Sequence, residues 1–349
     1  MRRRTRFVLV PALLVVAAAC GAGGSGEADQ TAGASSSDVG ARTLTVYSGR
    51  EEEFVAPLFE RFEADTGIVP EVRYGDSAEL AATISEEGDS SPADVFFSQD
   101  AGSLGALAQE GLFSPVEDAI LDRVDERFRS DDGSWVGTSG RGRVAVYNTE
   151  MVEPNDLPTS IFGFTDPAWK GQLGLPPTNS SFQAHVAAMI ESEGEAATRA
   201  FLEGLLANEV AFYEDNGATT RAVAAGEIEV GLVNHYYKYE VEAEDGALPL
   251  ANHYFAQGDP GAFVNTAGVG ILASSERPAE AEEFVDYVTG DAGQSFVAEE
   301  TWEYPVAPGL EPSVDILPLQ KFRGPDVDLS SLGSTMPDAL ALLAEVGMV

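Results

Sequence analysis

From Leu44 onward, short apolar runs alternate with amphipathic segments, and that alternation restricts the chain to an α/β fold. Leu44-Thr45-Val46-Tyr47-Ser48-Gly49 is a strand pattern leading into a loop. Over 52–66 the apolar residues Phe54, Val55, Leu58, Phe59 and Phe62 recur at helical spacing, and Gly67 supplies the stop. Strand patterns follow at 68–74 and 95–97, with helices at 77–87 and from Leu104 to a stop at Gly111. The middle of the chain has the same texture: strands at 143–147, 174–175 and 229–233, with helices at 182–190, 197–207 and 219–225. A strand at 268–272 and a helix at 278–289 complete the pattern. Buried strands alternating with helices predict mixed, largely parallel sheets covered on both faces. The strand at 143–147 falls where a crossover between two lobes is expected, and the one at 268–272 where the chain returns.

The 349 residues suffice for two lobes with real cores. Lys and Arg number 20 against 58 Asp and Glu, a formal charge of -38. A surface this acidic attracts cations and does not suit nucleic acid, whose phosphates need a basic partner. Arg2, Arg3, Arg4 and Arg6 precede an apolar run over 7–19 that is short for a membrane span and fits a secretory signal. Cys20, the sole cysteine, follows directly, which excludes an internal disulfide and fits the acceptor of a bacterial lipoprotein signal. Ala17 stands three residues before it, where such signals usually carry Leu. The expected organisation is a signal peptide at 1–19, a Gly/Ala/Ser-rich tether at 20–42, one lobe from 43–139 and 266–315, and a second from 140–265 and 316–349. The expected location is extracytoplasmic, anchored to a membrane through Cys20.

Ligands of open α/β sheets bind at the C-terminal ends of strands. Four loops qualify: Ser48-Gly49-Arg50-Glu51, Ser98-Gln99-Asp100-Ala101-Gly102, Thr178-Asn179-Ser180-Ser181 and Asn234-His235-Tyr236-Tyr237. The adjacent phenols of Tyr236 and Tyr237 are hard oxygen donors once deprotonated and suit a hard cation such as Fe(III). Neighbours on a strand face opposite ways, so both reach one ion only if the strand has ended near Asn234. Otherwise Tyr236 is core and Tyr237 surface. Glu51 and Asp100 are metal-ligand candidates or helix-start acids. Asn179, Ser180 and Ser181 precede a helical pattern and serve as an anion site or a plain N-cap. Arg141 and Arg143 hold an anion or pair with carboxylates. The histidines His185, His235 and His253 lack zinc spacing, and no nucleophile elbow, P-loop or dinucleotide fingerprint occurs.

Several blocks, in order, resemble the ferric-ion-binding proteins of bacterial ABC iron importers, within the class II periplasmic-binding-protein superfamily. They are Val46-Tyr47-Ser48-Gly49-Arg50, Ser91-Pro92-Ala93-Asp94-Val95-Phe96-Phe97, Ser139-Gly140-Arg141-Gly142-Arg143-Val144, Asn234-His235-Tyr236-Tyr237, Asp259-Pro260-Gly261-Ala262 and Glu303-Tyr304-Pro305-Val306. The resemblance implies a two-lobed α/β fold with crossover strands, no catalysis, and capture of Fe(III) with a synergistic anion such as carbonate or phosphate. It also implies delivery to an ABC permease; a monomer is expected. It makes Tyr236 and Tyr237 the paired ligands and Asn179, Ser180, Ser181, Asn216, Asn234 and Arg141 the anion pocket. Two positions depart from the family: Glu51 stands where a histidine is usual, and Gln99 replaces the usual glutamate, with Asp100 following. Glu51 in place of histidine makes the site harder. The departures keep open a small organic solute such as a polyamine, and a secreted hydrolase is the reading from another class.

Overall fold

The structure, a computed structural model, describes residues 42–349. The expected signal segment, Cys20 and tether residues 20–41 lie outside the described residues. The strands are β1 (Arg42–Ser48), β2 (Ile68–Tyr74), β3 (Val95–Ser98), β4 (Phe113–Ser114), β5 (Val136–Asn148), β6 (Leu173–Leu175), β7 (Ala211–Phe212), β8 (Val230–Asn234), β9 (Leu250–His253), β10 (Val264–Leu272) and β11 (Tyr304–Pro305). The main order is β2-β1-β3-β10-β5-β8-β6-β7. Both ends of this order are parallel: β2, β1 and β3 on one side, β8, β6 and β7 on the other. Antiparallel β10 and β5 join them, giving a mixed α/β architecture.

The strand β5 belongs to two sheets. Its first half, through Gly142, pairs with β10 in the first sheet, and its second half, from Arg143, pairs with β8 and β9 in the second. The chain crosses back between β9 and β10, where the Arg143 amide donates to the Phe263 carbonyl at 2.8 Å. At the changeover a Cβ on Gly142 would lie 1.8 Å from the Phe322 ring, so backbone and ring approach only because this residue has no side chain.

Helices cover the sheets. Those of the first half are α1 (Glu52–Thr66), α2 (Ser77–Glu87), α3 (Ala101–Gln109) and α4 (Asp118–Leu121). Next come α5 (Ser180–Glu193), α6 (Glu195–Ala207), α7 (Asn216–Ala224) and α8 (Tyr237–Asp245). The last are α9 (Pro278–Thr289), α10 (Asp291–Phe296) and α11 (Leu332–Val346). The α1 stripe read from spacing is buried at Val55, Leu58, Phe59 and Phe62. Phe59 stacks on Phe284 of α9 at 5.5 Å, and Phe62 meets the same ring edge-on at 5.1 Å. Cutting Phe62 back to alanine would cost about 3–5 kcal/mol. Outside the strands Phe164 meets Trp169 at 5.1 Å and Phe255 at 6.1 Å, edge to face in each case. Among the described residues no helix is long and apolar enough to cross a membrane.

Candidate metal centre

The strand β8 ends at Asn234, and Tyr237 opens α8. Tyr236 between them is already in the right-handed helical region, at φ -79° and ψ -22°. The strand alternation that would have sent the two phenols to opposite faces has therefore stopped. Their rings lie 4.4 Å apart, centroid to centroid, tilted by 31°. Both residues are buried, with 1 % and 2 % of their surface exposed, so the core-and-surface alternative for the pair does not hold. The Tyr236 hydroxyl is buried without a hydrogen-bond partner, an arrangement that costs free energy. The Tyr237 hydroxyl donates to Glu51 Oε1 at 3.4 Å. Burial, with the Glu51 and Glu240 carboxylates, pushes the Tyr237 phenol well above its ordinary value, against the pull of Arg141 and Arg50. Only a strong competitor, such as a multiply charged cation, would displace that proton.

All four strand-end loops are tied together here. Gly49 N–H donates to the Phe97 carbonyl at 2.8 Å and Gln99 N–H to Ser77 Oγ at 2.9 Å. Ser180 Oγ reaches Gln99 Oε1 at 3.1 Å, so the loop after β3 touches the start of α5. Arg141 donates to the Gln99 carbonyl at 2.6 Å. The Tyr237–Glu51 bond closes the set.

Glu51 occupies the N-cap of α1, but its side chain caps nothing. The protein around it pushes its carboxyl upward, chiefly by burial and against Arg141 and Arg50. The residue still faces solvent, which moderates that push. Asp100, the other expected acidic ligand, is spent. It caps α3 through Ser103 N–H at 2.8 Å and Ser103 Oγ at 3.0 Å, and it is fully buried. Asp reaches the free N–H groups of a first helical turn well, so this acid holds the fold rather than offering an open oxygen. Burial pushes its carboxyl up to about 6.

The expected anion residues divide. Asn179 Oδ1 accepts from Ser181 N–H at 3.1 Å, Ser181 Oγ at 2.6 Å and Asn216 Nδ2 at 3.1 Å, so Asn179, Ser181 and Asn216 form one cluster at the start of α5. Asn234 accepts from Arg143 at 3.1 Å, leaving its own Nδ2 and the Arg143 Nε buried without partners. Burial pulls Arg143 down to about 9. Arg141 pairs with a carboxylate, one of the two uses expected of it. Its guanidinium donates to Glu303 at 2.9 Å and to Gln99, and lies 5.0 Å from the centre of the Tyr236 ring. A cation over that ring favours a charged phenolate.

Sequence spacing missed the buried triad behind the phenols. Glu303 accepts from Arg50 at 3.0 and 2.9 Å as well as from Arg141, and all three side chains are buried. Burial pushes the Glu303 carboxyl up, and the two guanidiniums more than offset this, holding it below its usual range. Removing one member of such a network costs about 3–5 kcal/mol, because the remaining charge is left buried. Its members are distant in sequence: Arg50 follows β1, Arg141 lies within β5 and Glu303 precedes β11, so no local pattern joins them. His235, beside the phenols, accepts from Gly142 N–H at 3.2 Å and contacts the Trp302 carbonyl at 3.1 Å. Burial pulls it down to about 4, so it is neutral. Among the described residues no group of three His, Cys, Asp or Glu side chains is placed to hold a metal.

The model of a bacterial extracellular solute-binding protein family matches residues 90–328. The Fe(3+)-binding periplasmic protein of Serratia marcescens is 34% identical over 319 residues, spanning 90% of this chain and 93% of that protein. Iron-bound HitA from Pseudomonas aeruginosa superimposes with a TM-score of 0.84 at 34% identity, covering 88% of this chain and 99% of that one. A Trichodesmium protein (IdiA, FutA) solved with iron and citrate ligands gives a TM-score of 0.74 at 28% identity, covering 87% and 99%. The tyrosine pair thus lies in a chain that belongs to the bacterial extracellular solute-binding proteins.

Proposed function

We propose that this protein captures Fe(III) outside the cytoplasm and delivers it to the permease of an ABC importer. Tyr236, Tyr237 and Glu51 supply oxygen ligands to the ion. The observation that carries this reading is the pair of buried phenols 4.4 Å apart, one with an unpartnered hydroxyl. The ferric iron named in the relatives supports it. Binding exchanges the phenolic protons for the metal, so affinity falls as pH falls. Fe(III) has more positions than these oxygens fill. An anion such as carbonate or phosphate completes the set, held by Asn179, Ser180, Ser181 and Asn216 at the start of α5. The unpartnered donors of Arg143 and Asn234 support such an anion. Arg141 contributes by its charge over the Tyr236 ring.

The transfer of β5 between sheets at Gly142 and Arg143 supports two lobes, 43–139 with 266–315 and 140–265 with 316–349. A lipid anchor on Cys20 and a monomeric working state belong to the same proposal. Labelled palmitate incorporated by the wild type and not by Cys20→Ala would support the anchor.

Ferric nitrilotriacetate added to the iron-stripped soluble protein tests the assignment. A visible phenolate-to-iron charge-transfer band is expected, saturating at one ion per chain and lost in Tyr236→Phe/Tyr237→Phe. A double variant that still binds iron tightly would sink the ligand assignment. A colourless wild type stabilised against heat by spermidine would replace iron with an organic cation.

A further inference from the structure

A cavity of about 370 Å³ with almost wholly polar walls opens beside the phenols. Tyr237 and Glu51 stand on its wall, so two of the proposed ligands face it directly. Beyond them the wall carries Glu53, Asp215, Glu240 and Glu244, and a single cation, Arg221. That cation is already spent: Arg221 pairs with Glu244 and also reaches Asp245 at 3.4 Å. Asp215 caps α7 through Ala218 N–H at 2.6 Å and also lines the space. The guanidiniums of Arg50 and Arg141 are not among the lining residues, and both pair with Glu303. One oxygen of Glu240 is buried without a partner. Its carboxyl is pushed up to about 8, by burial first and then by Glu51 and Glu244, so it holds a proton at neutral pH and the field of the wall comes from the other acids. Clefts lined by one sign of charge focus the field and set association rates for charged ligands.

We propose, resting on the ferric reading above, that iron enters through this cavity as a cationic species, hydrated or partly chelated, and that polyanionic ferric chelates are repelled. Coulomb's law makes the discrimination kinetic. A cation gains and a polyanion loses on approaching the same carboxylates, and both effects fade as salt shortens the Debye length.

Stopped-flow absorbance at the charge-transfer band tests this, with ferric bis(acetohydroxamate), a monocation in mildly acidic buffer, and ferric citrate, an anion, as iron sources. At low salt the wild type is expected to load faster from the cation. Glu53 and Glu244 are exposed and outside the proposed ligand set, so E53K/E244K should fold. It is expected to load about 10-fold or more slowly from the cation and faster from citrate, with both changes lost at high salt. The milder E53Q/E244Q should move both rates in the same directions by less. E71K/E282K makes the same change in net charge on β2 and α9 and should leave the rates within about twofold. Wild type loading from both sources equally fast at low salt would overturn the inference, as would cavity and control variants that shift the rates alike. Those outcomes leave the ferric assignment standing, because the band still forms at equilibrium. No band from either source removes both.

Discussion

Ser48 at the end of β1 and Ser98 at the end of β3 make the same turn. Ser48 Oγ donates to the Arg50 carbonyl at 3.1 Å and accepts from Arg50 N–H at 3.2 Å. Ser98 Oγ does so with Asp100, at 2.9 and 3.2 Å. A helix then begins, α1 after an N-cap Glu51 and α3 after an N-cap Asp100. From there the two regions part. The short Asp100 side chain turns back onto its own helix, while the Glu51 side chain caps nothing and meets a phenol of the opposite loop. One methylene separates an acid used by the fold from an acid available to the site.

The sharpest way to break this comparison is to remove each acid in turn. Glu51→Ala is expected to lower iron affinity at least about 100-fold in competition with citrate, since losing even an outer-shell partner costs about 10–100-fold. Asp100→Asn should leave affinity within about twofold; an equal loss in both variants would mean that Asp100 also reaches the metal. A pH series sharpens the contrast. The Asp100 carboxyl is raised to about 6 in the folded protein, above its ordinary value of 3.8. Between those values the folded state holds a proton that the unfolded state has released. The stability this confers is full below the lower value and is lost as pH rises through the upper one. The stability gap between wild type and Asp100→Asn, measured by urea unfolding, should therefore change by on the order of 3 kcal/mol across that window, in favour of the variant as pH rises. The smallest effect is expected from Glu51→Asp. Shortening that acid lets it cap α1, adding about 0.5–1 kcal/mol of stability while iron affinity falls. A variant that keeps full affinity would show that the methylene is immaterial.

Much of this was legible from residue order alone. The α1 bounds of 52–66 agree with the structure because a clean apolar stripe ends at Gly67, whose positive φ of 72° closes the helix. The position of Tyr236 and Tyr237 just past a strand end was also readable. Less regular elements were not. Only 143–147 of β5 was anticipated, since its first half, Val136-Gly137-Thr138-Ser139-Gly140-Arg141-Gly142, has the small and charged residues of a loop. It is a strand because β10 and β11 pair with it and Glu303 takes the Arg141 charge. The acidic α8 escaped notice because its apolar stripe is weak, and α11 because Pro337 sits inside an otherwise regular stripe of Leu332, Met336, Ala339 and Leu343. Asp100 and Arg141 each had two readings open from residue type, and the structure shows Asp100 capping α3 and Arg141 in a buried ion network. Residue type shows what a side chain is able to do, and its partners decide which use is left.

His235 stands next to the phenols with both ring nitrogens engaged, one by Gly142 N–H and the other by the Trp302 carbonyl. Copper(II) and zinc are strong competitors at imidazole, and copper(II) heads the divalent affinity series. At this site the neighbouring imidazole offers them no free lone pair. If the proposed ferric site holds, these two hydrogen bonds to main chain leave a borderline metal no nitrogen beside the paired phenols.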